Sequence, residues 1–127
     1  EDLHSIGQFV QEGTPILFET FLDIENPDEE LILEADDVDD GFDYLNGADL
    51  REVNRAAFSA TFQAHSERLP CVRLKISELN EYSFGQLFYF FEFACYLSGS
   101  MLGVNPFNQP GVENYKGYMF QALGKHK

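Results

Sequence analysis

Positive charge is what this chain has least of. Lys and Arg number 8 against 22 Asp and Glu, a formal net charge of −14 over 127 residues. So acidic a surface repels phosphate backbones and anionic lipid, which argues against nucleic-acid and membrane-surface roles. A small anionic substrate stays compatible with it where a local cationic pocket works against the background. Trp is absent, and cysteine is limited to Cys71 and Cys95, whose spacing fits no zinc pattern. Each sits among apolar residues, so two buried free thiols in a reduced cytosol are expected. A glycine-rich phosphate loop and a nucleophile elbow are both missing, which excludes the corresponding nucleotide and acyl-transfer chemistries. The N-terminus, EDLHSIGQ, is acidic and carries no apolar signal segment. An initiator Met is also absent, and the sequence opens as if just inside a helix, which suggests a piece of a longer chain.

What is abundant is phenylalanine. The 13 Phe, with 44% hydrophobic and 15% aromatic residues, predict a packed core in which most rings lie inside. The length implies one domain, residues 1–127, burying roughly two-thirds of its unfolded surface. DLHSIGQFVQEG predicts a helix with Leu3, Ile6 and Val10 on one face and His4, Gln8 and Gln11 on another, stopped by Gly13. PILFETFLDIE, from Pro15 to Glu25, reads as a covered strand, and EELILE as a second, shorter one. From Asp23 to Asp43 there are eleven carboxylates in twenty-one residues. Neither register of a calcium loop fits: from Asp36 the twelfth position is Gly47, and from Asp37 the sixth is Phe42. A solvated acidic loop is expected instead. Asp49 and Glu52 form a capping pair ahead of a helix whose repeating face is Leu50, Val53, Ala57, Ala60 and Ala64. CVRLKISE alternates as a half-buried strand, with Val72, Leu74 and Ile76 on one side. Ser83 and Gln86 suggest a cap for the next helix, which is apolar nearly all round. Glu92 at its centre and Gln86 near its start make a membrane span costly, so a central helix buried in protein is expected. A last helix follows Pro110 and Gly111 through Val112, Tyr115, Met119 and Leu123. The alternation of helices and strands gives an α/β layout.

Lys116 is the only basic residue between Lys75 and Lys125. A surface lysine needs no explanation; the alternative is that the Asn-Pro and Gln-Pro-Gly turn before it fixes its direction, with the Gln109 amide free to bind hydroxyls. Asn105 and Asn108 serve the turn backbone. His4 is either an ordinary exposed histidine or a proton-transfer group suited to neutral pH. His65 ends a helix, where its partial positive charge suits the dipole, and His126 lies in the tail.

FNQPGVENYK, Phe107 to Lys116, closely resembles the C-terminal signature of glucose-6-phosphate isomerases: aromatic or aliphatic, Asp, Gln, any, Gly, Val, Glu, any, any, Lys. Asn108 stands where the signature has Asp, and Gln109, Glu113 and Lys116 stay in register. DLHSIGQFVQEG is similar to that family's histidine helix in its bacterial form. GFDYLNGADLREVNRAAFSATFQAH and ISELNEYSFGQLFYFFEFACYLSG are also similar to the bacterial enzymes, so the resemblance covers the chain. It implies a cytoplasmic, metal-free and cofactor-free aldose–ketose isomerase of glycolysis and gluconeogenesis, acting on glucose 6-phosphate and fructose 6-phosphate. It implies the later half of a sugar-isomerase (SIS) three-layer α/β/α sandwich plus C-terminal helices, in an enzyme that is a homodimer when complete. By motif, His4 is the ring-opening acid–base residue, Lys116 its cationic partner, and Gln109 a substrate contact.

The departures matter equally. Family members are several times longer, and their catalytic glutamate and Ser/Thr-rich phosphate loop precede the histidine helix; neither motif is present here. The resemblance therefore implies a C-terminal portion that is inactive alone and, with sheet edges and apolar faces exposed, prone to self-association or domain swapping. Two rivals stand beside this reading. One is an acidic interaction module that kept the scaffold and lost the chemistry. The other is a related isomerase acting on mannose 6-phosphate.

Overall fold

A computed structural model describes residues 2–27, 29–34, 36 and 38–125. A π-helical turn, Leu3–Gly7, leads into α1 (Gln8–Glu12), followed by β1 (Glu19–Asn26), a 3-10 turn (Asp43–Leu45), α2 (Leu50–Ser66), β2 (Cys71–Glu78), α3 (Glu81–Met101) and α4 (Pro110–Ala122). The fold is α/β, with four helices and a two-stranded parallel sheet among the described residues. The chain divides into two compact units, Glu1–Ser83 and Phe84–Lys127.

The first unit is built on a βαβ unit. β1 and β2 pair in parallel, Glu19 opposite Cys71, Leu22 opposite Leu74 and Ile24 opposite Ile76, and α2 provides the crossover that parallel strands require. Asp49 caps α2 as expected, its Oδ1 accepting the Arg51 N–H at 2.9 Å. Phe21 of β1 meets Phe58, Phe62 and His65 of α2 edge-on, with centroids 5.8, 5.2 and 5.9 Å away. Val10 of α1 and Leu69, after α2, are the buried apolar residues. Because side chains alternate across a strand, Phe21 shares its face with Arg73, and the Arg73 guanidinium lies 5.2 Å from the Phe58 centroid while bonding Asp23 at 2.6 Å. α2 thus packs on the mixed face of the sheet. Val72, on the expected apolar face, is 53% exposed.

Three local expectations need correcting. The segment Pro15–Phe18 lies outside the strand, which begins at Glu19, where the Glu19 N–H donates to Pro70 O at 3.0 Å. EELILE forms one isolated antiparallel bridge, Ile32 with Asp49, instead of a strand. Its bonds run to the turn before α2, Leu33 N to Ala48 O and Leu50 N to Leu31 O, both 2.9 Å. Once Leu50 enters the helix, the partner backbone turns away and the ladder ends. In the first helix, the wider turn of the π segment breaks the expected spacing: Val10 is buried, but Leu3 and Ile6 are exposed.

The largest correction concerns α3. It starts at Glu81, capped by Asn80, whose Oδ1 accepts the Ser83 N–H at 2.8 Å, and not by Ser83. Ser83 is its buried residue, while Phe84, Phe88, Tyr89, Phe90, Phe91, Phe93 and Tyr96 are all exposed. The rings stack along the helix itself, Tyr89 on Phe93 at 5.9 Å and Phe93 on Tyr96 at 6.0 Å. A helix apolar on every side needs cover on every side, and the described residues do not supply it. The expected pair of buried thiols is not formed either: Cys71 is half-buried and Cys95 exposed. No helix of the described residues is long and apolar enough to cross a membrane.

In the acidic loop, carboxylates serve their own backbone. Asp36 Oδ1 accepts the Val38 N–H at 2.8 Å and Asp40 Oδ1 the Phe42 N–H at 2.9 Å, the Asx turns that short acidic side chains favour.

Candidate functional site

The Asn-Pro and Gln-Pro-Gly segment is held at both ends. α3 terminates at Gly103, whose φ of +70° suits a residue without a Cβ. There Val104 N donates to Gly99 O at 3.0 Å and Gly103 N to Ser100 O at 3.1 Å, the paired bonds of a Schellman stop. Pro106 then folds back over Gly99, where a Cβ would stand 3.1 Å from the Pro106 Cβ. The Asn105 side chain closes the next turn, Oδ1 accepting the Phe107 N–H at 2.9 Å. Gln109 is the N-cap of α4, with Pro110 at the first helical position, where its missing N–H costs nothing. The cap is made by the Gln109 backbone: its carbonyl accepts Val112 N at 3.0 Å and Glu113 N at 3.2 Å. Its side chain makes no capping bond, and the residue is exposed.

Lys116 follows on the same helix. Gln109, Glu113 and Lys116 stand at i, i+4 and i+7, the spacing of one helical face, roughly 10 Å from first to last along the axis. Lys116 Nζ donates to Glu113 Oε1 at 2.7 Å, an i, i+3 ion pair with Glu nearer the N-terminus, the favourable order for the helix dipole. Lys116 is half-buried and Glu113 exposed.

His4 lies in the π-helical turn, on the exposed side. Wide turns of this kind are rare and concentrate at functional positions. Its imidazole has no hydrogen bond or ion pair among the described residues. His4 belongs to the first unit, and Gln109 and Lys116 to the second, so the structure brings together the last two.

His65 is not the simple dipole partner its helix-end position suggests. It is 6% exposed, and its Nδ1 lies 2.7 Å from Glu19 Oε2, tying the end of α2 to the start of β1. The sequence offered no signal for this contact across forty-six positions. His126 lies outside the described residues. Elsewhere in the first unit, the Asp49 carboxyl is held below its usual range by its hydrogen bonds with Arg51. The Cys71 thiol is pushed up by burial and by the Glu19 charge opposite it. Towards the C-terminal end of β1 is a groove of about 230 Å³ lined by apolar Leu22, Ile24, Pro27 and Phe58 and by polar Asp23, Arg51, Asn54 and Arg55. Of its two arginines, Arg51 pairs with Asp49 and, at 3.7 Å, with Glu30. Among the described residues no cluster of His, Cys, Asp or Glu could hold a metal ion.

No family model matches the chain. Its curated relatives are nonetheless clear. The glucose-6-phosphate isomerase of Bacillus cytotoxicus is 54% identical over 126 residues, covering 98% of this chain and 28% of that protein. This chain is a homologue of the bacterial glucose-6-phosphate isomerases. The isomerases of Staphylococcus haemolyticus and Clostridioides difficile are 52% and 50% identical over the same shares of each chain. The chain thus spans 28% of the length of the isomerases it matches, in their C-terminal region. Among solved structures, the crystal structure of a hypothetical protein from Thermus thermophilus matches with a TM-score of 0.83 at 28% identity, over 96% of this chain and 30% of that one. The chain thus has an α/β fold that is also found within a larger chain. Its alignment with the relatives spans both the histidine turn and the framed start of α4.

Proposed function

We propose that this chain is the C-terminal part of a glucose-6-phosphate isomerase that interconverts glucose 6-phosphate and fructose 6-phosphate. One observation carries the reading: identity of 54% to such an isomerase continues over 126 residues, through the segments of both His4 and Lys116. In the proposed reaction, ring opening breaks the bond between C1 and the ring oxygen. A proton is delivered to the ring oxygen while the C1 hydroxyl gives one up, and His4 serves as the acid–base group. Lys116 offers positive charge where negative charge develops on oxygen, and Gln109 offers an amide to substrate hydroxyls. The frame around Pro106 and Pro110 supports this role, because it fixes the backbone from which both side chains project. The later transfer between C2 and C1, through a cis-enediol, is assigned to a carboxylate outside this chain. The chain alone is accordingly proposed to be inactive. The complete enzyme is proposed to be a cytoplasmic homodimer needing no cofactor and acting in glycolysis and gluconeogenesis.

The test is a coupled assay of fructose 6-phosphate conversion, on this chain alone and after adding the separately expressed N-terminal part of a relative. We expect no activity alone and activity on mixing. His4→Ala and Lys116→Ala should each lower that activity by about 10²–10⁴-fold, the usual weight of a positioned acid–base group. Turnover by the isolated chain would place the missing base among its own carboxylates and overturn the reading. Mannose 6-phosphate, run in parallel, separates this enzyme from an isomerase of that sugar.

A further inference from the structure

We infer that Glu113 is the positioning residue for Lys116, an inference that rests on the function proposed above. Lysine is a point charge on a flexible four-carbon stem, so a rigid backbone under it does not by itself fix the ammonium. What confines it is Glu113, with Oε1 at 2.7 Å from Nζ. The same residue is fastened at its other end, its backbone N–H donating to Gln109 O at 3.2 Å. Glu113 therefore joins the two residues proposed to face substrate: by its backbone to the carbonyl of Gln109, and by its carboxylate to the ammonium of Lys116. Glu113 and Lys116 lie one turn apart on α4, and Gln109 is its N-cap. Its placement in the first turn, where the helix dipole favours negative charge, steadies the carboxylate there.

Glu113 touches neither the ring oxygen nor the migrating proton in this account; it acts by aiming a cation. Misplacing a reacting or stabilising group by about 1 Å can cost on the order of 10²-fold. An exposed pair constrains less, so a loss of about tenfold is expected. The effect should fall on kcat, because charge on the sugar oxygen develops only during ring opening.

The experiment grafts this chain onto the N-terminal part of the Bacillus cytotoxicus isomerase and compares Glu113→Gln, Lys116→Ala and the double substitution. Glutamine keeps the length and helix propensity of glutamate and removes only its charge. The expected result is a kcat about tenfold lower for Glu113→Gln, with KM within about twofold and an unchanged melting temperature. The residual rate of Lys116→Ala should be insensitive to adding the second change. Unaltered kcat in Glu113→Gln, beside a large loss in Lys116→Ala, overturns the inference and leaves the proposed function standing. Equal losses in the wild-type and Lys116→Ala backgrounds also overturn it, since Glu113 would then act independently. Full activity in Lys116→Ala, or an inactive graft whose mixed separate halves are also silent, overturns the proposed function and the inference with it.

Discussion

Removing the Phe21 ring tests where the packing energy of this chain resides. Phe21 is half-buried, and its three edge-on contacts at 5.2 to 5.9 Å help join β1 to α2, beside the His65–Glu19 bond. Truncating a fully buried Phe to Ala costs about 3–5 kcal/mol. Partial exposure lowers that figure, while aromatic pairs add about 0.5–1.5 kcal/mol beyond area. We therefore expect Phe21→Ala to cost about 2–3 kcal/mol. Phe88 supplies the contrast. It carries the same side chain on α3, but at 59% exposure its truncation should fall within about 0.5 kcal/mol. The assay is urea unfolding of the isolated chain, followed by circular dichroism and diluted until the transition no longer depends on concentration. With m about 1–3 kcal/mol/M, Phe21→Ala should move the midpoint by about 0.7–3 M at unchanged m, and Phe88→Ala by far less. Equal costs at the two positions would falsify the reasoning, because they would mean α3 is as well covered as β1.

Three further outcomes follow from the same structure. The isolated chain should self-associate through the uncovered rings of α3, giving a sedimentation coefficient that rises with concentration; Phe88→Ser with Tyr89→Ser should reduce it, and a strictly monomeric chain would count against it. The Asp49 carboxyl is depressed below 3.8 in the folded state, so its stabilisation is fully present above that value and is lost as pH falls through the depressed one. Acid titration of Asp49→Asn, which keeps an oxygen for the Arg51 N–H, should lack that segment of the unfolding curve, whereas Asp49→Ala should be weaker at neutral pH as well. Alkylation at mildly alkaline pH should modify exposed Cys95 well before Cys71, whose raised thiol carries less thiolate; mass spectrometry of partially labelled peptides reads the order.

Much of this fold is legible in local sequence patterns. The alternation in CVRLKISE marks β2 from Cys71 to Glu78, and the Asp49 cap marks the start of α2, because both are decided by neighbours in sequence. What failed depended on partners. EELILE has strand composition, yet its neighbour in space is a turn about to become a helix, so it makes one bridge. Asn80 out-competes Ser83 as the cap of α3 because its amide oxygen reaches forward to accept the Ser83 N–H, a choice that Ser83–Gln86 spacing alone does not resolve. For α3, the apolar pattern correctly predicts a helix that requires cover, but a pattern says nothing about which residues provide it.

The site divides along the same line. The placement of Gln109 ahead of α4 and of Lys116 within it was legible because a proline-framed turn and helical spacing are local, whereas the Glu113–Lys116 ion pair was not read. His65 was not, since its partner Glu19 lies on another element and only folding brings the two within 2.7 Å. His4 was singled out by chemistry and resemblance, while the π turn that carries it breaks the periodicity used to place it. A local pattern can thus set the direction of a lysine on its own helix. The proposed ring opening calls on His4 from the first unit and Lys116 from the second, with its missing base outside this chain. The proposed function accordingly stands or falls with complementation by the missing part.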